Sequence, residues 1–329
     1  MTHSTHARIT GTGSFAPPRR MTNADLESLV DTTDQWIRER TGIRERRIAD
    51  GSISCSDMAA AAARNAMEMA HCAPEDVDLL VDATVTADFP LPSNGCLVQE
   101  KLGLVNAVAF DVVAACTGFI AGLAIARGFI ETGMYRKVVV IGSERLSSLT
   151  NWGDRTTCVL FGDAAGAVVL EPSDNGSGIL STFMKSDGRM AEWLQVRVGG
   201  TRHPHTRDFA WDGSDKIAMR GTDVFKVAVK EMGNACLKVI EQAGVKPEDV
   251  SWVVPHQANM RIIEALAKRL GVAPGKVIIN VDRYGNTSSA SVPLALDEAN
   301  RAGRINPGDL VLMTAFGGGL IWGAALARW

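Results

Sequence analysis

The sequence predicts an α/β fold built from two halves that repeat one order of elements, with strands sandwiched between helix layers. Three observations carry this. A Pro-Glu-Asp-Val turn enters an apolar strand twice, in APEDVDLLVDATVT (73–86) and KPEDVSWVVPHQAN (246–259). Each copy follows a helical pattern and precedes a short helix ending in Leu-Gly. Both halves close on a Gly-rich strand, FGDAAGAVVLEP (161–172) and FGGGLIWGAALARW (316–329).

The elements run in order. SDMAAAAARNAMEMAH (56–71) is the first helix, and QEKLG (99–103) ends the short one. AVAFDVVAACTG (107–118) is a strand running into a polar turn, and KVVVIGSE (137–144) is a further strand. The second half repeats these as TDVFKVAVKEMGNACLKVIEQAG (222–244), AKRLG (267–271), KVIINVDRYGNTSS (276–289) and DLVLMTAF (309–316). The seam falls in the turn-rich EPSDNGSG (171–178), dividing the chain into 1–172 and 173–329. The halves read as pseudo-twofold partners packed together, not as independent modules.

Composition narrows the function classes. With 46% hydrophobic and 22% charged residues, the 329-residue chain has the balance of a soluble globular protein with a large core. A net charge of −3 argues against a nucleic-acid-binding surface. The six cysteines (55, 72, 96, 116, 158, 236) form no CxxC pair, which argues against zinc or a disulfide framework and for a reducing compartment. The N-terminus lacks an apolar signal core. The longest apolar stretch, GFIAGLAIARGFI, is too short for a bilayer and carries Arg127. A cytoplasmic protein without membrane attachment is expected.

Ligands of α/β sheets bind beyond the carboxyl ends of strands. Cys116 follows such an end in DVVAACTGF (111–119), although a lone cysteine also serves as a small buried hydrophobe. His256 ends the apolar run SWVVP, and alone it fits a structural role as well as a functional one. Asn286 alone fits a turn. His3 and His6 fall in an expected frayed terminus, His71 ends a helix, and His203 and His205 lack further metal ligands at useful spacing. GTGSFA (11–16) mimics a dinucleotide fingerprint, but Pro17-Pro18 stands where its helix must begin. FGGG (316–319) is no P-loop; its exposed N–H groups suit an oxyanion hole.

Taken together, these segments resemble the 3-oxoacyl-[acyl-carrier-protein] synthase III family, the initiating condensing enzymes of type II fatty-acid synthesis in the thiolase-like superfamily. The resemblance runs nearly end to end. It includes TNADLESLVDTTDQWIRERTGIRERR, the Ala-Ala-Cys-Thr-Gly-Phe turn, DRTTCVLFGDAAGAVVL, VPHQANMRII, YGNTSSASVPLALDEA and the closing AFGGGLIWGAALARW. It implies a thiolase-like fold layered αβαβα, a homodimer, and no cofactor or metal beyond coenzyme A thioester as substrate. It implies a catalytic set of Cys116, His256 and Asn286, with an oxyanion hole at the Cys116 and Gly318 N–H groups. Thr32, Trp36, Arg40, Arg155, Phe225, Ala258 and Asn259 would bind coenzyme A and its pantetheine arm. Gln257, Ala258, Asn259, Met260 and Arg261 would meet the acyl carrier protein, with Lys268 and Arg269 extending a basic face. Leu91 would stand where a bulky aromatic often closes the neighbouring subunit's acyl pocket.

The chemistry suits these residues. A helix N-terminus is expected to lower the thiol pKa of Cys116 from ~8.5. Transfer from thioester to thiol keeps the acyl group activated for carbon attack. Decarboxylating a malonyl thioester builds negative charge on its oxygen, which the His256 Nε2–H and the Asn286 amide can stabilise. The rival readings are a related enzyme priming a polyketide or quinolone pathway, a non-catalytic carrier-binding partner, and a cysteine hydrolase.

Overall fold

The computed structural model describes residues 5–329; His3 lies outside the described residues. Two main sheets organise them. His6–Phe15 (β1), Leu79–Ala83 (β2), Val108–Val112 (β3), Val138–Arg145 (β4) and Asp163–Ser173 (β5) take the order β1-β5-β4-β2-β3. Gly178–Ser186 (β6), Trp252–Pro255 (β7), Leu310–Gly317 (β8) and Ile321–Arg328 (β9) take the order β7-β8-β9-β6. β2 runs parallel to β3 and β4, and β7 parallel to β8. The closing strands β5 and β9 are antiparallel to both of their neighbours. The duplication read from the sequence is thus a duplication of sheet topology.

Two helices, Gly118–Glu131 (α2) and Ser291–Arg301 (α5), pack against strands of both sheets and form the middle layer. Cys55–Met69 (α1) covers the outer face of the first sheet; Gly221–Gln242 (α3) covers the second, with Met260–Leu270 (α4) beside it. This is the five-layer αβαβα arrangement. α1 starts where Ser54 and Asp57 satisfy each other's backbone N–H groups in a capping box. Strand β4 is apolar and buried over Val138–Ile141 because helices cover both faces of its sheet. Each such side chain contributes about 1.5–3 kcal/mol of burial.

Two local expectations change, and the rejection of GTGSFA as a dinucleotide loop holds. The strand expected over 276–280 reduces to an isolated parallel bridge between Val253 and Val277. The cause is Gln257, whose side-chain amide donates to Ile278 O (3.1 Å) and accepts from Asn280 N (3.0 Å) and Val281 N (3.2 Å). Backbone groups satisfied by a side chain need no ladder partner. His6 is not frayed: it opens β1 opposite Ser173. GTGSFA lies along β1 and has no phosphate-loop geometry; a Cβ on Gly13 would stand 2.3 Å from Ala62 O, so glycine there admits α1.

Candidate active site

The middle helices bring the site together. α2 and α5 are each preceded by a 3₁₀ turn, Ala115–Thr117 and Ser288–Ala290, and the two turns pack on each other. Each turn opens on a residue in the left-handed region, Ala115 (φ 45°) and Ser288 (φ 49°). Non-glycine residues held there are strained, and such strain gathers at functional sites. Cys116 lies in the first turn, and Asn286 lies two residues before Ser288.

Ser288 is the hub. Its backbone N–H donates to Asn286 Oδ1 (2.9 Å), which leaves the Asn286 Nδ2 donors free to face outward. Its carbonyl accepts from Ser291 Oγ (2.9 Å), and Ser291 Oγ lies 2.6 Å from His256 Nδ1. Its hydroxyl donates to Glu144 Oε1 (2.9 Å), and its turn packs on the turn that carries Cys116. Histidine and asparagine therefore meet through one serine, whose turn packs on that of the cysteine. The Ser291 hydroxyl has one proton: donated to the Ser288 carbonyl, it leaves Oγ to accept from Nδ1–H; turned to Nδ1 instead, it leaves the neutral His256 ring its proton on Nε2, the donor tautomer needed for an oxyanion.

Cys116 and Asn286 open onto a cavity of about 950 Å³. Its apolar wall includes Val85, Phe89, Val113, Leu149, Ile217 and Ile321. Gly318 lines it, while Gly317 makes the closer approach to Cys116: a Cβ there would lie 2.6 Å from Cys116 N. Glycine at 317 lets the end of β8 lie directly on the Cys116 backbone.

The electrostatics correct one expectation. Cys116 keeps part of its surface open, yet burial pushes its thiol up to about 12 from 9.0, and the nearby Glu144 carboxyl acts in the same direction. The neighbouring Ser288 works the other way without overcoming burial. Three pH units correspond to about 4 kcal/mol, against about 0.3–1 kcal/mol typical for a charge at a helix end. Burial wins over the α2 dipole, so the resting group is a thiol. Burial also pushes His256 down to about 3, leaving a neutral imidazole.

The remaining predicted residues spread over the neighbouring surface. Trp36, on the helix Asp34–Thr41, carries the Arg40 and Arg155 guanidinium groups at 4.9 and 5.0 Å from its ring centroid. Thr32 precedes that helix with its hydroxyl buried and unpartnered. Phe225 on α3 and Ala258 pack partly buried in one apolar cluster. Asn259 caps α4 by accepting from Ile262 N (3.0 Å). None of these lines the cavity. Met219, from the hairpin formed by Leu194–Val196 and Ile217–Met219, lines it and also packs in the clusters of Trp36, Phe225 and Ala258.

Met260 is half-buried and Arg261 is exposed, donating to Glu39 O (3.2 Å). Gln257 needs correction as a carrier contact. It is buried and spends its whole amide on Pro255, Ile278, Asn280 and Val281. Leu91 is 85% exposed and stands outside its own chain's cavity. Glu144, Ser288 and Ser291 were not singled out from the sequence.

A cysteine aimed into a cavity at the pseudo-twofold junction of an αβαβα duplication defines the class: a thiolase-like acyltransferase. The family of 3-oxoacyl-[acyl-carrier-protein] synthase III matches residues 110–188, and its C-terminal region matches 240–329. The beta-ketoacyl-[acyl-carrier-protein] synthase III of Caldanaerobacter subterraneus subsp. tengcongensis is 52% identical over 323 residues, 98% of each chain. The crystal structure of 3-oxoacyl-[acyl-carrier-protein] synthase III from Aquifex aeolicus superposes with a TM-score of 0.92 at 49% identity, covering 98% of this chain and 100% of that one. The priming β-ketosynthase of the R1128 polyketide pathway gives 0.91 at 38% identity, covering 98% and 96%. The chain belongs to the 3-oxoacyl-[acyl-carrier-protein] synthase III family.

Proposed function

We propose that Cys116, His256 and Asn286 divide between them the two halves of the initiating condensation of fatty-acid synthesis. The overall reaction joins an acyl-CoA to malonyl-acyl carrier protein, giving 3-oxoacyl-acyl carrier protein, carbon dioxide and coenzyme A. Cys116 attacks the acyl-CoA thioester and holds the acyl group as a new thioester. The neutral His256 Nε2–H and the Asn286 Nδ2–H then hydrogen-bond the malonyl thioester oxygen as carbon dioxide leaves. The carbanion attacks the acyl-Cys116 carbonyl, whose oxyanion rests on the backbone N–H groups of Cys116 and Gly318. Loss of one such donor typically costs about 2.7–4 kcal/mol. The observation that carries this reading is the packing of the two 3₁₀ turns, which sets Cys116 against the turn of Ser288, the residue that holds the Asn286 amide and, through Ser291, the His256 imidazole.

Trp36, Arg40 and Arg155 offer an aromatic face and two cations suited to an adenine and phosphates. The pantetheine arm would pass Phe225, Ala258 and Asn259 beside Met219 to reach Cys116, with Thr32 at its outer end. Met260 and Arg261 would meet the acidic carrier. Edge strand β3 pairs only with β2 and exposes Val108, with Val113 and Leu91 nearby in the same exposed apolar set; a second copy of the chain would cover them in a homodimer. Among the described residues no helix is long and apolar enough to cross a membrane.

The test is mass spectrometry after exposure to acetyl-CoA. An acetyl group is expected on Cys116; His256→Ala and Asn286→Ala should keep that adduct but fail to form product with malonyl-acyl carrier protein. Acetylation at another residue overturns the assignment. A second reading, priming of a polyketide with a different starter, draws support from leucine rather than a bulky aromatic at 91; a marked preference for long or branched acyl-CoA would favour it.

A further inference from the structure

Glu144 is completely buried near the end of β4, where an apolar side chain would pack without the cost of desolvating a carboxyl group. We propose that Glu144 is a positioning residue for decarboxylation, holding the Ser288 turn in the conformation that aims Asn286 and His256 at the malonyl thioester oxygen. This rests on the reading of Asn286 and His256 as the donors to that oxygen.

The carboxyl group bridges the two halves of the chain. Its Oε1 accepts from Ser288 Oγ (2.9 Å), and Ser289 Oγ, bonded to Ala83 O (2.7 Å), lies 3.1 Å from the same oxygen. Its Oε2 accepts from Thr86 Oγ1 (2.8 Å) and Val85 N (3.2 Å), in the segment that leaves β2. Thr86 Oγ1 is fixed in turn by Arg145 N (2.8 Å). β4 also meets the turn directly, since a Cβ on Gly142 would stand 2.3 Å from Ser289 O. Gly142 and Glu144 lie on one face of the strand, so the glycine admits the turn and the carboxyl group grips it.

The grip acts on a strained residue. Ser288 sits at φ 49°, a conformation that a non-glycine residue keeps only where its surroundings overdetermine it. There its N–H reaches Asn286 Oδ1 (2.9 Å), and its carbonyl lies 2.9 Å from Ser291 Oγ, which stands 2.6 Å from His256 Nδ1. The N–H and the carbonyl flank the same φ and ψ, so a Ser288 that relaxed would swing both contacts at once. Cys116 is anchored separately, by the start of α2 and by Gly317 against its backbone N. Glutamine at 144 would keep the bridge: its amide oxygen suits Val85 N–H and Thr86 O–H, and its NH₂ can donate to Ser288 Oγ. Leucine would fill similar space and bond nothing.

The experiment compares Glu144→Leu with Glu144→Gln in two separate steps. Mass spectrometry follows acetyl transfer from acetyl-CoA to Cys116, and carbon dioxide release follows decarboxylation of malonyl-acyl carrier protein. Glu144→Leu should lower kcat for decarboxylation by about 10- to 100-fold, with malonyl KM and acetylation changed by less than about threefold. Glu144→Gln should regain most of that loss. Its crystal structure should show Glu144→Leu with Ser288 out of the left-handed region and Asn286 turned from the cavity. Should Glu144→Leu fail to fold, Ser288→Ala removes the same bond from its other end and should give the same split between the two steps. Wild-type decarboxylation in the variant, or equal loss in both steps, would overturn the proposal. Wild-type decarboxylation in both His256→Ala and Asn286→Ala would instead sink the reading of the donors. The crystal structure then judges Glu144 by itself: an undisturbed segment over 286–291 would show that it holds nothing.

Discussion

The two halves of the molecule set equivalent residues around one junction and give them different chemistry. Leu79 pairs with Val138 as Trp252 pairs with Val311. Continuing those registers puts Ala83 at the place of His256, and Glu144 at the place of Gly317. The matching 3₁₀ turns make Ser289 the counterpart of Cys116. The Ser289 hydroxyl is buried and bound to Ala83 O (2.7 Å) and Glu144 (3.1 Å), whereas Cys116 opens on the cavity. A symmetric frame thus supplies two helix starts, and three differences open one on the cavity at Cys116 and keep the other buried at Ser289.

The sharpest way to break this comparison is to remove each counterpart in turn. Cys116→Ala should lower acyl transfer from acetyl-CoA by more than about 10⁴-fold with little change in melting temperature. Ser289→Ala should do the reverse, costing about 1–3 kcal/mol of stability by leaving buried acceptors unpaired, with at most about a tenfold loss of rate. Adduct formation and thermal melts report the two quantities; similar profiles for both variants would mean the halves are not specialised as described.

Gly317→Ala comes next. Its Cβ would lie 2.6 Å from Cys116 N and 3.0 Å from Ala115 Cβ, and the first of these is backbone that cannot swing aside. Overpacking should cost about 1–3 kcal/mol, and displacement of the Cys116 N–H from the oxyanion about 10²- to 10³-fold in condensation rate. A crystal structure showing an undisturbed turn together with full activity would contradict this.

Much of this asymmetry was legible in the sequence, and the missing part has a physical cause. The repeated Pro-Glu-Asp-Val turns, the helix periodicities and the Leu-Gly stops are local signals, and the sheets follow them. Cys116, His256 and Asn286 stood out as polar groups at strand ends. Glu144 did not, because a glutamate after VVVIGS reads as the strand reaching solvent; its burial is created by residues 288 and 289 of the other half. Ser288 and Ser291 read as turn residues in NTSSAS for the same reason. Gln257 reads as an exposed amide in VPHQAN, but the backbone it satisfies lies more than twenty residues away at 278–281. The elevated thiol pKa likewise comes from enclosure by both halves, which no single segment displays.

His256 has no titratable counterpart at Ala83, so pH sharpens the comparison further. Its folded-state pKa, about 3 against 6.5, favours the neutral ring. The associated stability is fully present above pH 6.5 and is lost as pH falls toward 3. Glu144 and Asp82 work oppositely: raised to about 7, they contribute stability below their ordinary values of 4.5 and 3.8 that is lost as pH climbs toward 7. His256→Gln should therefore lose less melting temperature than wild type on acidification below pH 6.5. Ser291→Ala, which frees Nδ1 and lets both tautomers populate, should slow condensation about tenfold while acyl-Cys116 formation holds. Equal slowing of both steps would place Ser291 outside the decarboxylation machinery.

The smallest effect is expected where the halves differ in the segments leaving their equivalent strands β2 and β7. After β7 the chain turns inward through buried Gln257 and enters α4 directly. After β2 it loops outward over 84–93, lining its own cavity with Phe89 and Pro90 while exposing Leu91. In the homodimer proposed above, this exposed leucine would enter the second subunit's pocket. Leucine is smaller than phenylalanine, so the far end of that pocket should be slightly longer or wider than an aromatic would leave it. Each added methylene that finds apolar contact there is worth about 0.8 kcal/mol, a few-fold in rate, and one that clashes costs about 1–3 kcal/mol. Acetyl-CoA should be used by both the wild type and Leu91→Phe, with propionyl- and butyryl-CoA accepted a few-fold better by the wild type. Rates across primers of increasing chain length measure this directly. An unchanged profile in Leu91→Phe would show that the outward loop ends short of the partner's pocket, leaving chain length to be set within each subunit's own cavity.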